Sequence, residues 1–228
     1  MVKGIFVTGT DTGVGKTVVT GLLGRFLAER GVNVVTQKWV QTGCKGVSED
    51  IEAHIRFMDG DKGFFDKYTE EMAPYIFEFP SSPHLAAALE EKSIDTGRIE
   101  SAFRRLAQDF DYVIAEGAGG ALVPVSEKEL MIDIAEKLAL PVLVVARNRL
   151  GAINQTLLTV EALKRRGLKI AGIVFNHLGG GSNEVVLKDN LQIITKLSGV
   201  KVLGELPFRE DAAGLYEDFI PIGERILA

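Results

Sequence analysis

The stretch GIFVTGTDTGVGKT at residues 4–17 decides the expected fold. It starts with a short apolar run, typical of a buried parallel strand, and passes through a glycine-rich loop. A helical spacing of apolar residues follows at once. Backbone N–H groups in such a loop and at a helix start point at phosphate oxygens, while a lysine adds charge and a threonine hydroxyl suits Mg²⁺. The stretch therefore predicts a phosphate-binding strand, loop and helix.

This loop is one residue longer than the common phosphate-binding pattern. Five residues separate Gly9 from the Gly-Lys-Thr triplet at residues 15–17, where the common pattern has one fewer. A glycine-rich turn without a ligand is the alternative interpretation. Lys16 and Thr17 at the start of the helix favour phosphate binding, because a plain turn needs neither side chain.

The rest of the chain alternates apolar runs with helical patterns, and Gly31 ends the first helix. The further predicted strands are residues 32–38, 111–117, 141–146, 169–176 and 200–207, and the further predicted helices are residues 48–58, 83–91, 97–109, 131–139, 153–166 and 184–197. Residues 59–82 have no sustained period and are expected to cross the active edge of the sheet. The pattern predicts an α/β, P-loop NTPase-like open and mostly parallel sheet with helices on both faces, in a single domain at residues 1–228.

Composition narrows the possible partners. The 228 residues are 46% hydrophobic and 25% charged, with a net charge of -5, and they show no basic cluster and no membrane-length apolar run. We therefore expect no nucleic-acid partner and no membrane partner. The N-terminus lacks the pattern of a secretory signal, which predicts a cytoplasmic protein. The single Cys44 cannot form an internal disulfide, and three scattered histidines show no zinc-like spacing.

Polar residues follow the predicted strands at the edge where ligands of open α/β sheets bind. Glu116 closes one strand before a glycine run, and Asp50 lies near a helix start, so both are candidate Mg²⁺ ligands. Asp50 can equally be a charge favoured by the helix dipole. Lys38 ends the second strand, where a solvated lysine is the alternative, and Thr42 follows it. Lys16 and Lys38 together suit a charge-rich phosphoryl transition state.

Seven segments resemble dethiobiotin synthetase in order and spacing, and the longer loop is itself a feature of that family. They are GTDTGVGKT (9–17), KWVQTG (38–43), APYIFEFPSSPH (73–84), EGAGG (116–120), GAINQTLLT (151–159), GIVFNH (172–177) and GELP (204–207). The resemblance implies ATP- and Mg²⁺-dependent ring closure of 7,8-diaminononanoate with CO₂, through a carbamate and a carbamic-phosphoric mixed anhydride. It also implies a homodimer, in which the turn at Gly151 binds the distant substrate carboxylate across the interface.

The resemblance also implies roles for individual residues. Lys16 and Lys38 would stabilise charge on the carbamate and the γ-phosphate. Thr12, the third implied catalytic residue, would hold the phosphates together with the backbone of residues 13–18. The implied Mg²⁺ ligands are Thr17, Asp50 and Glu116. The implied nucleotide-binding residues are Gly13, Val14, Gly15, Lys16, Thr17, Val18, Asp50, Glu116, Gly117, Ala118, Gly119, Asn176, His177, Glu205, Leu206 and Pro207. The implied substrate-binding residues are Thr42, Gly151, Ala152, Ile153 and Asn154.

Two positions depart from the family pattern, and three other functions compete with this one. Trp39 stands where the family usually has proline and is expected to reshape the diamine pocket, while Thr42 replaces a common serine. A partitioning-type switch ATPase would carry a further lysine early in the loop, where Thr10 and Asp11 stand here. A cobyrinate amidase would continue into a glutamine-hydrolysing domain. A scaffold without chemistry would not be expected to keep both lysines and both carboxylates.

Overall fold

Short apolar segments form the strands because β-branched side chains suit a pleated surface that is buried on both faces. The computed structural model describes residues 4–179, 183–209 and 211–228. Residues 1–3, 180–182 and 210 of the predicted domain lie outside the described part. The strands are β1 (Gly4–Gly9), β2 (Val34–Lys38), β3 (Gln41–Thr42), β4 (Ile76–Phe77), β5 (Tyr112–Gly120), β6 (Val142–Arg147), β7 (Ile170–Asn176) and β8 (Val202–Leu206).

Six of these strands form one parallel sheet in the order β2-β5-β1-β6-β7-β8, which confirms the predicted fold class. Strands β3 and β4 form a separate parallel pair. Every residue of β1 and β2 is buried, so both faces of the sheet are covered. Parallel strands place their carboxyl ends at one edge, and the loop after β1 therefore lies near the end of β2 and the glycine run of β5.

Helices connect the strands of the sheet, as the sequence predicts, and one further helix follows the last strand. They are α1 (Lys16–Ala28), α2 (Glu49–Phe57), α3 (Lys62–Phe65), α4 (Thr69–Met72), α5 (Pro83–Leu89), α6 (Thr96–Asp109), α7 (Met131–Lys137), α8 (Ala152–Arg165), α9 (Glu184–Ser198) and α10 (Ala212–Leu227). Helix α1 packs against α2 and α10, while α6 packs against α4 and α7. Within the described residues, no helix is both long and apolar enough to cross a bilayer.

Three regions differ from the sequence prediction, and one of them is the short strand β3, which follows the predicted strand at residues 32–38. Residues 59–82 contain α3, a short 3-10 helix (Asp66–Tyr68), α4 and β4, which are each too short to produce a sustained period. Helix α10 was not predicted. Pro221 lies inside it, and proline in a sequence indicates the end of a helix because it lacks a backbone donor. The helix nevertheless forms because Leu215, Phe219 and Ile222 are buried in the core.

Candidate active site

Strand register brings Lys38 and Glu116 together. The two residues are direct partners in the parallel β2–β5 pair. Lys38 Nζ donates a hydrogen bond of 2.6 Å to Glu116 Oε1 and lies 2.5 Å from Asp50 Oδ2. The Lys38 and Glu116 side chains are only 6% and 1% exposed, whereas Asp50 is 25% exposed. One ammonium group therefore joins two carboxylates from different elements at the edge of the sheet.

The opposite charges of Lys38 and the two carboxylates stabilise one another's ionised forms despite burial. Burial alone would lower the pKa of Lys38, but the negative charges of Glu116 and Asp50 outweigh that effect and raise the pKa above its usual value. Burial alone would raise the pKa of Glu116, but the positive charge of Lys38 and the hydrogen bond from His54 hold it far below its usual range. Both side chains are therefore ionised at neutral pH.

The donor set around Thr17 fits a magnesium ion. Thr17 Oγ1 lies 3.1 Å from Asp50 Oδ1 and 3.3 Å from Glu116 Oε1, so a hydroxyl and two carboxylates converge. Mg²⁺ prefers hard oxygen ligands and in nucleotide sites takes one or two carboxylates together with phosphates and water. Among the described residues, no group of three or more His, Cys, Asp or Glu side chains is arranged to hold a metal ion. The convergent oxygens thus suit a metal that a bound nucleotide helps to hold.

The phosphate loop leaves the first turn of α1 open to an anion. The N-cap residue Gly15 has φ 95°, a left-handed conformation that favours glycine, and no side chain caps the helix start. A Cβ atom at Gly15 would lie 1.8 Å from Asn176 Nδ2, so the site has no room for a larger residue. Lys16 Nζ donates to the backbone oxygen of Asp11 at 3.3 Å. Burial, followed by the positive charge of Lys38, lowers the pKa of Lys16 to about 8.

A cavity of about 740 Å³ unites most of the predicted catalytic, phosphate and metal residues. The predicted residues that line it are Thr12, Gly13, Gly15, Lys16, Thr17, Val18, Lys38, Thr42, Asp50, Glu116, Ala118 and Gly119. Val14 and Gly117 are not part of this lining. Val14 is buried, and its backbone oxygen accepts a hydrogen bond of 3.1 Å from Asn176 Nδ2. The volume falls within the range of small-molecule sites.

A second cavity of about 190 Å³ contains part of the predicted nucleotide-binding set. Asn176, His177 and Pro207 line it, and it shares Val18 and Leu178 with the larger cavity. Glu205 and Leu206 lie outside the lining. Leu206 is buried in the core, and Glu205 Oε2 lies 2.6 Å from His177 Nε2. The shared wall places the two cavities side by side.

The predicted carboxylate-binding turn lies outside both cavities. Residues 151–154 begin α8, and none of them lines the two sites of this chain. Gly151 is the N-cap, with φ 91° and no side-chain cap, so this helix start resembles that of α1. The turn nevertheless approaches the phosphate loop, because Arg149 Nη2 and Gln155 Nε2 lie 3.7 Å and 3.4 Å from Asp11 Oδ2.

Trp39 does not line the large cavity, although the sequence analysis expected it to reshape the substrate pocket. Its side chain is fully buried, stacks on Phe6 with 4.4 Å between ring centroids and donates to Gln37 Oε1 at 3.0 Å. Adjacent strand residues point to opposite faces, so Trp39 enters the core while Lys38 reaches the site. The indole ring is therefore part of the core packing.

Sequence reasoning assigned no role to several residues that the fold brings to the site. Ser81 and Ser82 line the large cavity at the start of α5. His54 Nε2 lies 2.7 Å from Glu116 Oε2. The sequence carried one indication of this contact, because His54 follows Asp50 by four residues on α2 and that spacing places two side chains on one helix face.

The fold and the site define a nucleotide-binding protein of the P-loop class. The chain matches the family described as AAA domain over residues 3–214. It is 41% identical to an ATP-dependent dethiobiotin synthetase of Haemophilus influenzae, over 77% of this chain and 92% of the relative. It is 46% identical to another of Chlorobaculum tepidum, over 75% of this chain and 71% of the relative. The chain therefore belongs to the family of ATP-dependent dethiobiotin synthetases, which confirms the resemblance drawn from its motifs.

A solved structure outside that family shares only the fold. The cell-division ATPase MinD of Pyrococcus furiosus aligns over 100% of both chains with a TM-score of 0.57 and 19% identity. Such a likeness supports the P-loop architecture and says nothing of the reaction.

Proposed function

We propose that the protein is an ATP-dependent dethiobiotin synthetase of biotin biosynthesis. In this reaction one amine of 7,8-diaminononanoate takes up CO₂ as a carbamate, and a carbamate oxygen attacks the γ-phosphorus and releases ADP. The second amine then attacks the carbonyl carbon of the mixed anhydride, closes the ureido ring and expels phosphate. Phosphorylation is needed because phosphate is a far better leaving group than a carboxylate oxygen.

The observation that supports this proposal most is the content of the large cavity. Lys16, Lys38, Asp50 and Glu116 meet there beside the phosphate loop, in a chain whose family is named for this reaction. The space of about 740 Å³ can hold a diamine next to a γ-phosphate. Holding both amines near one carbonyl makes ring closure effectively unimolecular.

The lysines would act on charge that develops during phosphoryl transfer. Lys38 is held in place by Glu116 and Asp50 at 2.6 Å and 2.5 Å, so its ammonium group needs little reorganisation. Lys16 extends across the loop towards the oxygen of Asp11, which leaves it beside the place where phosphates would bind. We assign Lys38 to the carbamate and γ-phosphate, Lys16 to the phosphates, and Thr12 to a contact with the phosphates.

Thr17, Asp50 and Glu116 would hold a magnesium ion with the nucleotide. When bound, Mg²⁺ would offset the negative charge of the phosphate groups. The three residues would contribute oxygen ligands from α1, α2 and β5. The carboxylate oxygens of Asp50 and Glu116 lie 3.1 Å and 3.3 Å from Thr17 Oγ1, which supports the assignment.

A homodimer would complete the substrate site. Thr42 lines the large cavity and would contact the diamine or its carbamate. Residues 151–154 lie outside that cavity but begin α8 with an uncapped helix start, which suits an anion. We therefore propose that this turn binds the distant carboxylate of substrate held in a second copy of the chain.

The proposal is tested by measuring phosphate release with Mg-ATP and bicarbonate, with and without 7,8-diaminononanoate. Mass spectrometry follows dethiobiotin in the same samples. We expect diamine-dependent phosphate release matched by an equal amount of dethiobiotin. Phosphate release that is indifferent to the diamine, with no dethiobiotin, would contradict the proposal and favour a switch ATPase of the partitioning type.

A further inference from the structure

His54 is a buried polar residue that the proposed chemistry does not use directly. Its side chain is fully buried on α2, and it lies one helical turn after Asp50. Its Nε2 atom lies 2.7 Å from Glu116 Oε2, on the side of the carboxylate away from the phosphate loop contacts. Asp50 and His54 thus reach Glu116 and its partners from the same helix face.

The two carboxylate oxygens of Glu116 have different hydrogen-bond partners. Oε1 accepts a hydrogen bond of 2.6 Å from Lys38 Nζ and lies 3.3 Å from Thr17 Oγ1, whereas Oε2 lies next to His54 Nε2. An ionised carboxylate only accepts hydrogen bonds, so His54 Nε2 must carry the proton that it donates. The terminal torsion of a glutamate is broad and needs an external contact to fix it. His54 supplies that contact.

Core packing alone does not explain a histidine at this position. Among the described residues, His54 Nδ1 has no hydrogen-bond partner although it is buried. An unsatisfied buried polar atom costs about 1–3 kcal/mol, so an apolar side chain of similar size would suit the core better. The bond to Glu116 is the gain that offsets this cost.

We propose that His54 is a positioning residue that holds Glu116 Oε2, so that Oε1 faces Thr17 and Lys38. This inference rests on the proposed function, because it gives Glu116 a role in the metal and nucleotide site. Residues that orient metal ligands typically change metal affinity by about 10–100-fold when they are removed. The same loss is expected for His54, even though His54 touches neither nucleotide nor substrate.

The test compares His54→Leu with His54→Gln. Leucine keeps an apolar volume without a donor, whereas the Gln amide can donate to Glu116 from a similar distance along the side chain. Arg56→Gln, at an exposed position of the same helix, is the control. Electron paramagnetic resonance measures Mn²⁺ binding to the full-length protein with a non-hydrolysable ATP analogue, and steady-state kinetics with Mg-ATP give kcat and KM for the diamine.

We expect His54→Leu to weaken Mn²⁺ binding by about 10-fold or more. The kcat of ring closure should fall by a larger factor than the KM for the diamine changes, and the melting temperature should stay close to that of the parent protein. His54→Gln should recover most of the metal affinity, and the control should match the parent protein. Mn²⁺ affinity of His54→Leu within about twofold of the parent would overturn the inference. Equal loss in both His54 variants together with lower melting temperatures would also overturn it, since that result indicates a structural role. If the parent protein forms no dethiobiotin, the proposed function fails, and the Mn²⁺ titration still decides the role of His54.

Discussion

At the residue scale, the site depends on a cation buried between two anions. Lys38 is almost fully buried and pairs with Glu116 and Asp50. A lone buried ammonium would lose its proton, because burial disfavours the charged form. The two carboxylates reverse that tendency and keep Lys38 charged. The arrangement thus keeps a positive charge ready at the point where the proposed reaction develops negative charge.

Lys38→Ala should suppress ring closure by at least about 10²-fold, because the transition-state charge loses a fixed partner. Nucleotide binding should change little, since the phosphate loop and Lys16 remain. Single-turnover formation of dethiobiotin and titration with a fluorescent ATP analogue measure the two effects. Lys45→Ala is the control, because the Lys45 side chain is 84% exposed. Near-normal turnover in Lys38→Ala would remove Lys38 from the mechanism.

At the element scale, the close approach of α1 and α2 positions Asp50 and His54. A Cβ atom on Gly21 of α1 would lie 2.6 Å from Phe57 Cβ and 3.2 Å from the Cα atom of His54. Glycine at this point lets the two helices pack closely. The position of α2 relative to the phosphate loop thus depends on a residue with no side chain, outside the site itself.

Gly21→Ala should destabilise the protein and weaken activity. Alanine gains about 1 kcal/mol in helix propensity over glycine, but overpacking against rigid atoms costs about 1–3 kcal/mol and should dominate. Gly24→Ala is a matched control on the same helix, because its new Cβ would meet the flexible side chain of Met58. Urea unfolding and the Mg²⁺ dependence of turnover measure the effects. If both variants behave like the parent, the packing argument is wrong.

A second element-scale contact joins α10 to α1. Tyr216 Oη donates a hydrogen bond of 2.7 Å to Glu29 Oε2, and the Arg25 guanidinium lies 3.9 Å from the centre of the Tyr216 ring. Burial, together with this hydrogen bond, raises the pKa of Tyr216 from 10.0 to about 12. The bond helps to hold the C-terminal helix, whose fit against α1 the sequence did not predict.

Tyr216→Phe should lower the free energy of unfolding by about 1 kcal/mol near neutral pH, since one hydrogen bond is lost. The folded protein favours the neutral phenol, so this contribution is fully present below pH 10 and is lost as the pH rises from 10 towards 12. Urea unfolding of both proteins at several pH values measures the difference. A difference that stays constant above pH 10 would contradict the assignment.

At the scale of the whole molecule, the proposed site needs two chains. Lys16, Lys38, Asp50 and Glu116 line the large cavity, whereas residues 151–154 lie outside its lining. Each active site would then combine Lys38 of one copy with the start of α8 from the other. Oligomeric state and catalysis are therefore linked in this proposal.

Subunit mixing tests the shared site. Asn154→Asp places a negative charge at the start of α8 and should raise KM for the diamine by repelling its carboxylate. When that variant is mixed with Lys38→Ala and allowed to exchange subunits, mixed dimers carry one intact site each. We expect recovery of about a quarter of parental activity at equal ratios, because about half of the dimers are mixed. An absence of recovery despite proven exchange would show that α8 serves its own chain.

Much of the fold and of the candidate site could be predicted from local patterns. The phosphate loop, the six sheet strands and the Lys38–Glu116 edge all follow from short apolar runs and the residues that end them. Helix α10 could not be predicted, because Pro221 gives a local stop signal that tertiary packing of the helix overrides. The core position of Trp39 could not be predicted either, because its stacking partner Phe6 comes from another strand and is brought close only by the fold.

The sequence by itself determined the class of chemistry, because a lysine, a threonine and a glycine loop after a strand suit phosphate wherever the chain folds this way. Tertiary structure decided which residues meet. Strand register places Glu116 next to Lys38, and Asp50 on α2 pairs with Lys38. His54, also on α2, contacts the other carboxylate oxygen of Glu116. Residue types fix what a site can do, but distances between residues far apart in the chain arise only when the elements pack.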